Sequence, residues 1–207
     1  APQVDALTSR YWVINRDERG HGSPAGPDLA LFTYYDSADD LAALLKHLGI
    51  GRAVLAGMSQ GGFLSLRAAL THPEIVKALI LIDTQAGQED PAAMAGYAQL
   101  IDDWLANGLS GGTADFIETV ILGQGWSGAG AWKDKWRGFA PHDVRGCMEC
   151  LAHRDDISGR LSEIRVPALV IHGDADAAIA LSLAEALTLG LPHAELVVVP
   201  GAGHAAN

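Results

Sequence analysis

The chain has 207 residues, of which 49% are hydrophobic and 19% charged, and its formal net charge is −11. A chain of this length and hydrophobicity can bury a substantial core, so the composition excludes an intrinsically disordered protein. The acidic balance argues against nucleic acid as a partner, because phosphate binding needs a basic surface. The sequence contains no uninterrupted run of about 18 apolar residues, so it predicts no membrane-spanning helix.

The first predicted strand covers residues 11–14, and a polar, glycine-rich loop follows it through Pro27. Asp36 or Ser37 is expected to cap the next helix, whose acidic first turn suits the positive end of a helix dipole. Gly49 is placed to end this helix. Its leucines recur at helical spacing and predict a buried stripe formed by Leu41, Leu44, Leu45 and Leu48.

Four further strands are predicted at residues 52–57, 78–82, 167–172 and 195–199. Each run is continuously apolar rather than alternating, which is typical of parallel strands covered on both faces. Helical segments separate the runs, including one predicted over residues 179–190. This alternation predicts an α/β fold with a mostly parallel sheet flanked by helices.

Residues 86–157 interrupt the alternation, since they are helix-like and glycine-rich and contain no obvious buried strand. We predict a helical lid here, over the carboxyl ends of the strands, where open α/β sheets bind ligands. The lid divides the α/β core into a first part, residues 1–85, and a second part, residues 158–207. Four of the five tryptophans fall in the lid, at Trp104, Trp126, Trp132 and Trp136.

The lid tryptophans have two possible roles. They either pack a small core within the lid or form an apolar, partly aromatic substrate pocket. The pocket hypothesis places Met58, Trp126, Trp132 and Trp136 against the substrate.

Residues 57–62, Gly-Met-Ser-Gln-Gly-Gly, lie between a predicted strand and a helical segment. They match the G-x-S-x-G turn of a nucleophile elbow, which holds a serine hydroxyl exposed above a sheet. Side chains two positions before and after Ser59 would collide, so we expect glycine to be required at Gly57 and Gly61. A tight turn without catalysis is the alternative, and the flanking strand and helix favour the elbow.

A serine hydroxyl becomes a good nucleophile only beside a histidine that a carboxylate orients. His204 is the expected base, because it lies on a glycine-rich loop after the last predicted strand. Asp176 follows the penultimate strand and is the expected acid, whereas Asp174 is expected to stabilise that turn. Asp83, at the end of the strand after the elbow helix, is the alternative acid.

The other histidines have expected structural positions. His172 ends a strand and is expected to contact the loop that follows it. The remaining ones are assigned to the surface (His47, His72 and His193) or to the lid (His142 and His153).

Two cysteines, Cys147 and Cys150, are too few for a disulfide framework. Together with His153 they are residue types that bind metal ions. Two cysteines and one histidine do not complete a tetrahedral site, so packing on a helix face is the favoured interpretation. We expect no metal and no cofactor.

Two N–H donors are needed to stabilise the oxyanion of a tetrahedral intermediate. The backbone of Gln60 can supply one of them at the positive end of the following helix. The second donor normally comes from a loop after an earlier strand, and no strand is predicted before residue 11. The sequence therefore provides one donor.

Four motifs in this order resemble the α/β-hydrolase superfamily: residues 17–23 (Asp-Glu-Arg-Gly-His-Gly-Ser), residues 57–62, residues 172–176 (His-Gly-Asp-Ala-Asp) and residues 201–204 (Gly-Ala-Gly-His). Within it, the chain is similar to lidded carboxylesterases, 3-oxoadipate enol-lactonases and cofactor-free haloperoxidases. The resemblance implies Ser59 as nucleophile, Asp176 as acid and His204 as base.

The same resemblance implies an oxyanion loop ahead of residue 1 and a final helix after residue 207, so the chain is expected to be clipped at both ends. A serine nucleophile excludes the aspartate-using dehalogenases and epoxide hydrolases. Gln60 departs from the methionine that is common at this position in enol-lactonases and haloperoxidases.

The expected activity is hydrolysis of a small, largely apolar carboxylic ester or lactone through an acyl-enzyme on Ser59. The alternatives are C–C bond hydrolysis or perhydrolysis on the same triad, a ligand-sensing protein with slow turnover, or a catalytically crippled fragment. The expected location is the cytoplasm, and a homo-oligomer is possible.

Overall fold

The computed structural model describes residues 2–21, 31–123, 125–139 and 141–206. Residues 22–27 of the predicted glycine-rich loop, including Gly22 and Ser23 of the first motif, lie outside the described residues, and so does the side chain of His142. The elements in chain order are α1 (Pro2–Leu7), α2 (Tyr34–His47), β1 (Ala53–Met58), α3 (Gln60–Thr71), β2 (Val76–Ile82), α4 (Pro91–Asn107), α5 (Gly111–Ile117), α6 (Ala129–Arg137), α7 (Pro141–Ala152), β3 (Ala168–Gly173), α8 (Leu181–Gly190) and β4 (Ala194–Val199).

The four strands form one parallel sheet in the order β1-β2-β3-β4. The strands predicted at 52–57, 78–82, 167–172 and 195–199 are therefore confirmed, with ends that differ by at most two residues. Because the strands are parallel, their carboxyl ends lie along the same edge of the sheet. The loops that start at this edge carry all the predicted catalytic residues.

The main core lies where the sheet meets the flanking helices. The strands contribute the buried side chains of Leu55, Leu79, Leu81 and Val170. Helices α2, α3 and α8 cover them with the leucines Leu45, Leu66 and Leu187. Burial of this apolar surface provides the main driving force for folding, at about 25 cal/mol per Å².

The strand predicted at residues 11–14 is wrong, because the structure has no strand in this segment. Trp12 is 71% exposed and Tyr11 is 59% exposed. A strand needs a neighbour that accepts and donates its backbone hydrogen bonds. In the described part of the chain β1 pairs only with β2, so this segment has no ladder to join.

The predicted cap of α2 is also wrong, because the helix begins three residues earlier than a cap at Asp36 requires. Thr33 is the N-cap, and its hydroxyl accepts a hydrogen bond from the Asp36 backbone. The Asp36 carboxylate in turn accepts from the Thr33 backbone at 2.7 Å, which completes a capping box. The predicted end at Gly49 is confirmed, since that glycine has φ 71° directly after the C-cap.

In the described part of residues 86–157 every regular element is a helix or a helical turn, loops join these elements, and no strand occurs. Helices α4 and α7 pack against each other, and a π-helical turn (Glu118–Leu122) follows α5. The division into core and lid at residues 86 and 157 stays a prediction. None of the described helices is long and apolar enough to cross a membrane.

A buried arginine joins the end of this helical segment to the core. The Arg67 side chain on α3 is 1% exposed and bonds to the Asp155 carboxylate at 2.8 and 3.0 Å. Tyr35 of α2 donates its hydroxyl to the same carboxylate at 2.7 Å. Asp155, just after α7, therefore links α2 and α3.

Candidate active site

Ser59 lies at the turn between β1 and α3 with φ 50° and ψ −113°. A positive φ is uncommon for a residue with a Cβ atom, so this backbone is held by its surroundings. The Ser59 backbone N–H donates to Ile82 at 2.8 Å, and its carbonyl accepts from the Thr84 hydroxyl at 2.9 Å. One contact comes from the last residue of the neighbouring strand β2 and the other from the loop just after it, so together they fix the turn to the sheet.

The close approach at the elbow requires glycine at two positions, Gly57 and Gly62. A Cβ atom at Gly57 would overlap the Gly61 carbonyl, and one at Gly62 would lie 2.5 Å from the Thr84 hydroxyl oxygen. A Cβ atom at Gly61 would meet nothing within 4 Å. The expectation of a collision at Gly61 is therefore wrong, because the turn brings the carbonyl of Gly61, and not its α-carbon, against the strand.

His204 and Asp176 form a buried pair. The His204 Nδ1 atom lies 2.8 Å from Asp176 Oδ2, and both side chains are almost fully buried. Asp176 Oδ1 accepts from the backbone N–H groups of Ala178 and Ile179. Burial by itself would raise the pKa of Asp176, but the hydrogen bonds from His204 and the two N–H groups outweigh it. The pKa of Asp176 therefore lies below its ordinary value.

The loop of Asp176 and the loop of His204 are bonded together. Asp174 Oδ1 accepts from the Gly201 backbone N–H at 2.6 Å, so this carboxylate joins the two loops. A Cβ atom at Gly173 would overlap the Ala202 carbonyl, so glycine is required for this approach. These contacts between the two loops fix the positions of His204 and Asp176 relative to each other.

Asp83, the alternative acid, has its carboxylate bound by backbone groups of those same loops. Its Oδ1 accepts from Gly173 N–H at 2.9 Å, and its Oδ2 accepts from Ala206 N–H at 2.8 Å. Burial raises the pKa of Asp83 despite these bonds. Its backbone has φ 45°, a second strained non-glycine residue at the site. Asp83 therefore anchors the loops of Asp176 and His204 to β2.

His172 lies between the two carboxylates and is fully buried. Its Nε2 is 2.9 Å from the Ile179 carbonyl, so it contacts the loop that follows it, as the sequence predicted. Its Nδ1 is 3.7 Å from Asp83 Oδ1.

One group in the described part of the chain has metal-ligand spacing: Asp83, His172 and Asp176. The carboxylate oxygens of this group already accept backbone N–H groups or contact His204, so they serve as supports for the histidine. Cys147 and Cys150 are both buried, whereas His153 is 77% exposed and contacts Glu149. Because the His153 side chain faces solvent and the two thiols are buried, the three side chains do not form a common metal site.

A cavity of about 270 Å³ opens beside Ser59 and His204. Gln60 and His21 line it as well, so the first and last sequence motifs meet there. Most of the remaining wall is apolar and comes from α4 to α7, including Leu100, Trp104, Phe116, Val120, Trp136 and Met148. Such a cavity suits an apolar group of a small molecule.

Of the residues in the pocket hypothesis, the structure brings Trp136 to the cavity, and Trp104 also lines it. Met58, Trp126 and Trp132 are not among its described lining residues, which corrects the hypothesis at these positions. Met58 is the last residue of β1 and pairs with Ile82. Trp126 is 49% exposed. Trp132 is 41% exposed and lies beside Trp136, with ring centroids 6.4 Å apart.

A thiol also reaches the cavity, because Cys147 lines it and lies 3.5 Å from His21 Nδ1. Burial raises the pKa of Cys147 to about 12, so the thiol stays protonated near neutral pH. A protonated thiol is a poor nucleophile, which leaves Ser59 as the candidate.

Sequence reasoning missed several residues around the site. Tyr34 donates its hydroxyl to Gln60 Oε1 at 2.8 Å and so orients the Gln60 side chain. Glu89 and Tyr97 place polar groups in the cavity wall. The Thr84 contact to Ser59 was missed too. No local pattern marks these residues, because each contact joins segments far apart in the chain.

Helix α3 begins at Gln60, and the first N–H groups of a helix have no acceptor within the helix. The positive end of the α3 dipole therefore lies next to Ser59. The oxyanion role of the Gln60 backbone stays a prediction.

Comparison with known proteins agrees with this geometry. Residues 2–207 match the family described as alpha/beta hydrolase fold. A 2-(acetamidomethylene)succinate hydrolase from Mesorhizobium japonicum is 28% identical, over 100% of this chain and 76% of that protein. 3-Oxoadipate enol-lactonase 2 from Acinetobacter baylyi is also 28% identical, over 99% and 76%. A solved esterase structure from Thermogutta terrifontis has a TM-score of 0.85 at 29% identity, covering 98% of this chain and 76% of that one. The chain therefore belongs to the α/β-hydrolase family of enzymes.

Proposed function

We propose that this protein hydrolyses a small, largely apolar carboxylic ester or lactone through an acyl-enzyme on Ser59. The observation that carries the proposal is the 2.8 Å contact between His204 and Asp176 beside the cavity that Ser59 and His204 share. A serine, a histidine and a buried carboxylate at such a cavity are the groups that acyl transfer needs.

In the first step His204 removes the Ser59 proton while the Ser59 oxygen attacks the substrate carbonyl. Asp176 fixes the tautomer of His204 and stabilises the imidazolium that forms. The backbone N–H of Gln60 stabilises the oxyanion, aided by the positive end of α3. His204 then gives its proton to the departing alkoxide, and the acyl group stays on Ser59.

In the second step a water molecule attacks the acyl group on Ser59, with His204 again acting as base. The acid is released and the Ser59 hydroxyl is restored. In a lactone the alkoxide remains tethered, so the product is one hydroxy acid. No metal or cofactor is needed for either step.

The apolar walls and the cavity volume of about 270 Å³ support a small substrate with an apolar part. The similarity to an enol-lactonase and to an esterase supports carboxylic ester and lactone bonds as the substrate class.

The test is hydrolysis of short p-nitrophenyl esters and of a simple lactone by the wild type and by Ser59→Ala. We expect multiple turnover by the wild type and a loss of about 10³-fold or more in kcat for Ser59→Ala. Ser182→Ala is the control, because Ser182 is exposed on α8. Undiminished activity in Ser59→Ala would refute the mechanism.

The same substrate panel separates the other chemistries. Similarity to a non-heme chloroperoxidase, at 28% identity over 97% of this chain, favours perhydrolysis as the second candidate. Peroxide-dependent formation of a peracid that exceeds ester hydrolysis would support that candidate. Cleavage of a diketone instead would support C–C bond hydrolysis, and a single slow turnover would support a ligand sensor.

A further inference from the structure

One carboxylate lies in the otherwise apolar wall of the cavity. Glu89, just before α4, lines the cavity, and its side chain is 14% exposed. The proposed reaction does not use this carboxylate. A charged group in the wall of a small apolar cavity affects which substrates can enter.

Glu89 is held from behind by two side chains. Arg154 Nη2 and Gln85 Nε2 both donate to Glu89 Oε1 at 2.9 Å. The Arg154 side chain is 1% exposed and lies over the Phe63 ring, and it is not among the described residues that line the cavity. Since both donors use Oε1, Oε2 is the oxygen left to accept a hydrogen bond from a ligand; no other described residue donates to it.

Tyr97 of α4 adds a hydroxyl to the same cavity. Burial raises the pKa of Tyr97, and the negative charge of Glu89 raises it further. The hydroxyl therefore stays protonated and lies within the electrostatic influence of Glu89. A carboxylate and a phenol in one wall can together bind a polar group that donates hydrogen bonds.

The ionisable groups among the described lining residues are Glu89, Tyr97, Cys147 and the two histidines His21 and His204. Among the described lining residues Glu89 is the only carboxylate, and neither lysine nor arginine lines the cavity. A substrate with its own carboxylate would meet the Glu89 charge, which Arg154 offsets only from outside the described lining, and like charges at short range in a partly desolvated site repel each other. The carboxylate would also lose its hydration without gaining a cationic partner.

We propose that Glu89 and Tyr97 form a polar subsite that selects an uncharged substrate bearing an N–H or O–H donor and rejects substrates bearing a carboxylate. This proposal rests on the proposed function, because it concerns the substrate of the same cavity. It would distinguish this chain from two of its relatives in substrate class, since the succinate and oxoadipate in the names of those two proteins denote acids.

The first test compares three p-nitrophenyl esters of similar shape: the hexanoate, the monoester of adipic acid and the corresponding ester of adipamic acid. They end in a methyl group, a carboxylate and an amide. We expect kcat/KM for the carboxylate ester to be lower than for the hexanoate by about tenfold or more, and the amide ester to equal or exceed the hexanoate. A carboxylate ester hydrolysed as fast as the hexanoate would overturn the proposal.

The second test uses Glu89→Gln, which keeps the size of the side chain and removes its charge. With Arg154 then uncompensated, the carboxylate ester should gain about tenfold in kcat/KM relative to the hexanoate. The control is Glu163→Gln, because Glu163 is exposed and pairs with Arg160 at the surface. An unchanged ratio in Glu89→Gln would overturn the proposal.

Removal of one partner from a buried ion pair can prevent folding, so the double variant Glu89→Gln/Arg154→Gln is made as well. It removes both charges. We expect kcat/KM for the carboxylate ester, relative to the hexanoate, to rise towards the ratio of a cavity without a charged group in its wall. A retained tenfold penalty in a folded double variant would contradict the role of Glu89.

A binding measurement separates this proposal from the proposed function. Calorimetry with Ser59→Ala, which cannot form an acyl-enzyme, compares hexanamide with hexanoate at neutral pH. We expect hexanamide to bind at least about tenfold more tightly. Equal binding, or binding of neither ligand, would overturn the subsite, whereas selective binding without ester hydrolysis by the wild type would overturn only the proposed function.

Discussion

At the scale of single residues, two buried aspartates at the carboxyl edge of the sheet have opposite pKa shifts. Asp176 contacts His204 and has a lowered pKa, whereas Asp83 accepts only backbone N–H groups at its carboxylate oxygens and has a raised one. Burial raises the pKa of both, so the hydrogen bond from His204 makes the difference. This difference supports Asp176 as the proposed catalytic carboxylate, whereas Asp83 anchors the loops through its backbone partners.

The order of motifs along the chain favours Asp176 over Asp83 as the proposed acid, but the sequence did not reveal the anchoring role of Asp83. That role depends on backbone N–H groups of Gly173 and Ala206, which lie 90 and 123 residues further along the chain. No local pattern reports such distant backbone partners.

Asp176→Asn should lower kcat by about 10³- to 10⁴-fold with little change in KM, because an amide N–H would face His204 Nδ1 and favour the wrong tautomer. Steady-state kinetics on a p-nitrophenyl ester measure this change. Asp174→Asn is the comparison, since Asp174 contacts Gly201 and not His204. Equal losses in the two variants would contradict the assignment.

The same variant has a pH signature in stability. The pKa of Asp176 lies below its ordinary value of 3.8, so its stabilising contribution is present above about pH 4 and is lost as pH falls through the folded-state pKa. Thermal unfolding should therefore show a stability difference between wild type and Asp176→Asn that is largest near pH 7 and shrinks below pH 4. A difference that grows on acidification would contradict the direction of the shift.

At the scale of secondary-structure elements, the strands could be predicted because continuous apolar runs leave few alternatives. The segment at residues 11–14 looks similar in sequence but remains unpaired and exposed at Tyr11 and Trp12. A strand depends on its neighbour, and sequence periodicity says nothing about whether a neighbour is present. The cap of α2 was also predicted wrongly. An acidic residue near the start of a helix is favourable both at the N-cap and in the first turn, so the sequence does not distinguish these two positions.

Gly57 and Gly61 allow a direct test of the elbow. Gly57→Ala should destabilise the protein by about 2 kcal/mol or more, because its Cβ would overlap the Gly61 carbonyl. Gly61→Ala should be neutral or stabilising by up to about 1 kcal/mol, because its Cβ has open space and alanine favours a helix. Urea unfolding of the two variants measures the contrast, and similar losses in both would contradict the geometry.

At the scale of the whole molecule, the cavity joins walls from the sheet edge and from helices α4 to α7. Its apolar character was predictable from the tryptophans, but which of them face it was not. Trp132 and Trp136 lie on the same helix four residues apart, and only Trp136 is turned to the cavity. The orientation of α6 against its neighbours decides this, and that is a tertiary property.

Asp155 links the end of this helical segment to α2 and α3. Asp155→Asn should destabilise the protein by about 3 kcal/mol, because it leaves the buried Arg67 charge without its carboxylate. Glu163→Gln removes a surface ion pair with Arg160 and should cost less than about 1 kcal/mol. Chemical unfolding measures both, and a loss for Asp155→Asn no larger than for Glu163→Gln would contradict the link.

The central claim is that Ser59 is a nucleophile activated by His204 and Asp176. The most direct measurement is covalent labelling with a fluorophosphonate, followed by mass spectrometry of the digested protein. The account predicts one adduct on the peptide that contains Ser59, and its formation should slow strongly in Asp176→Asn. An unlabelled Ser59 in the folded wild-type protein would contradict the claim.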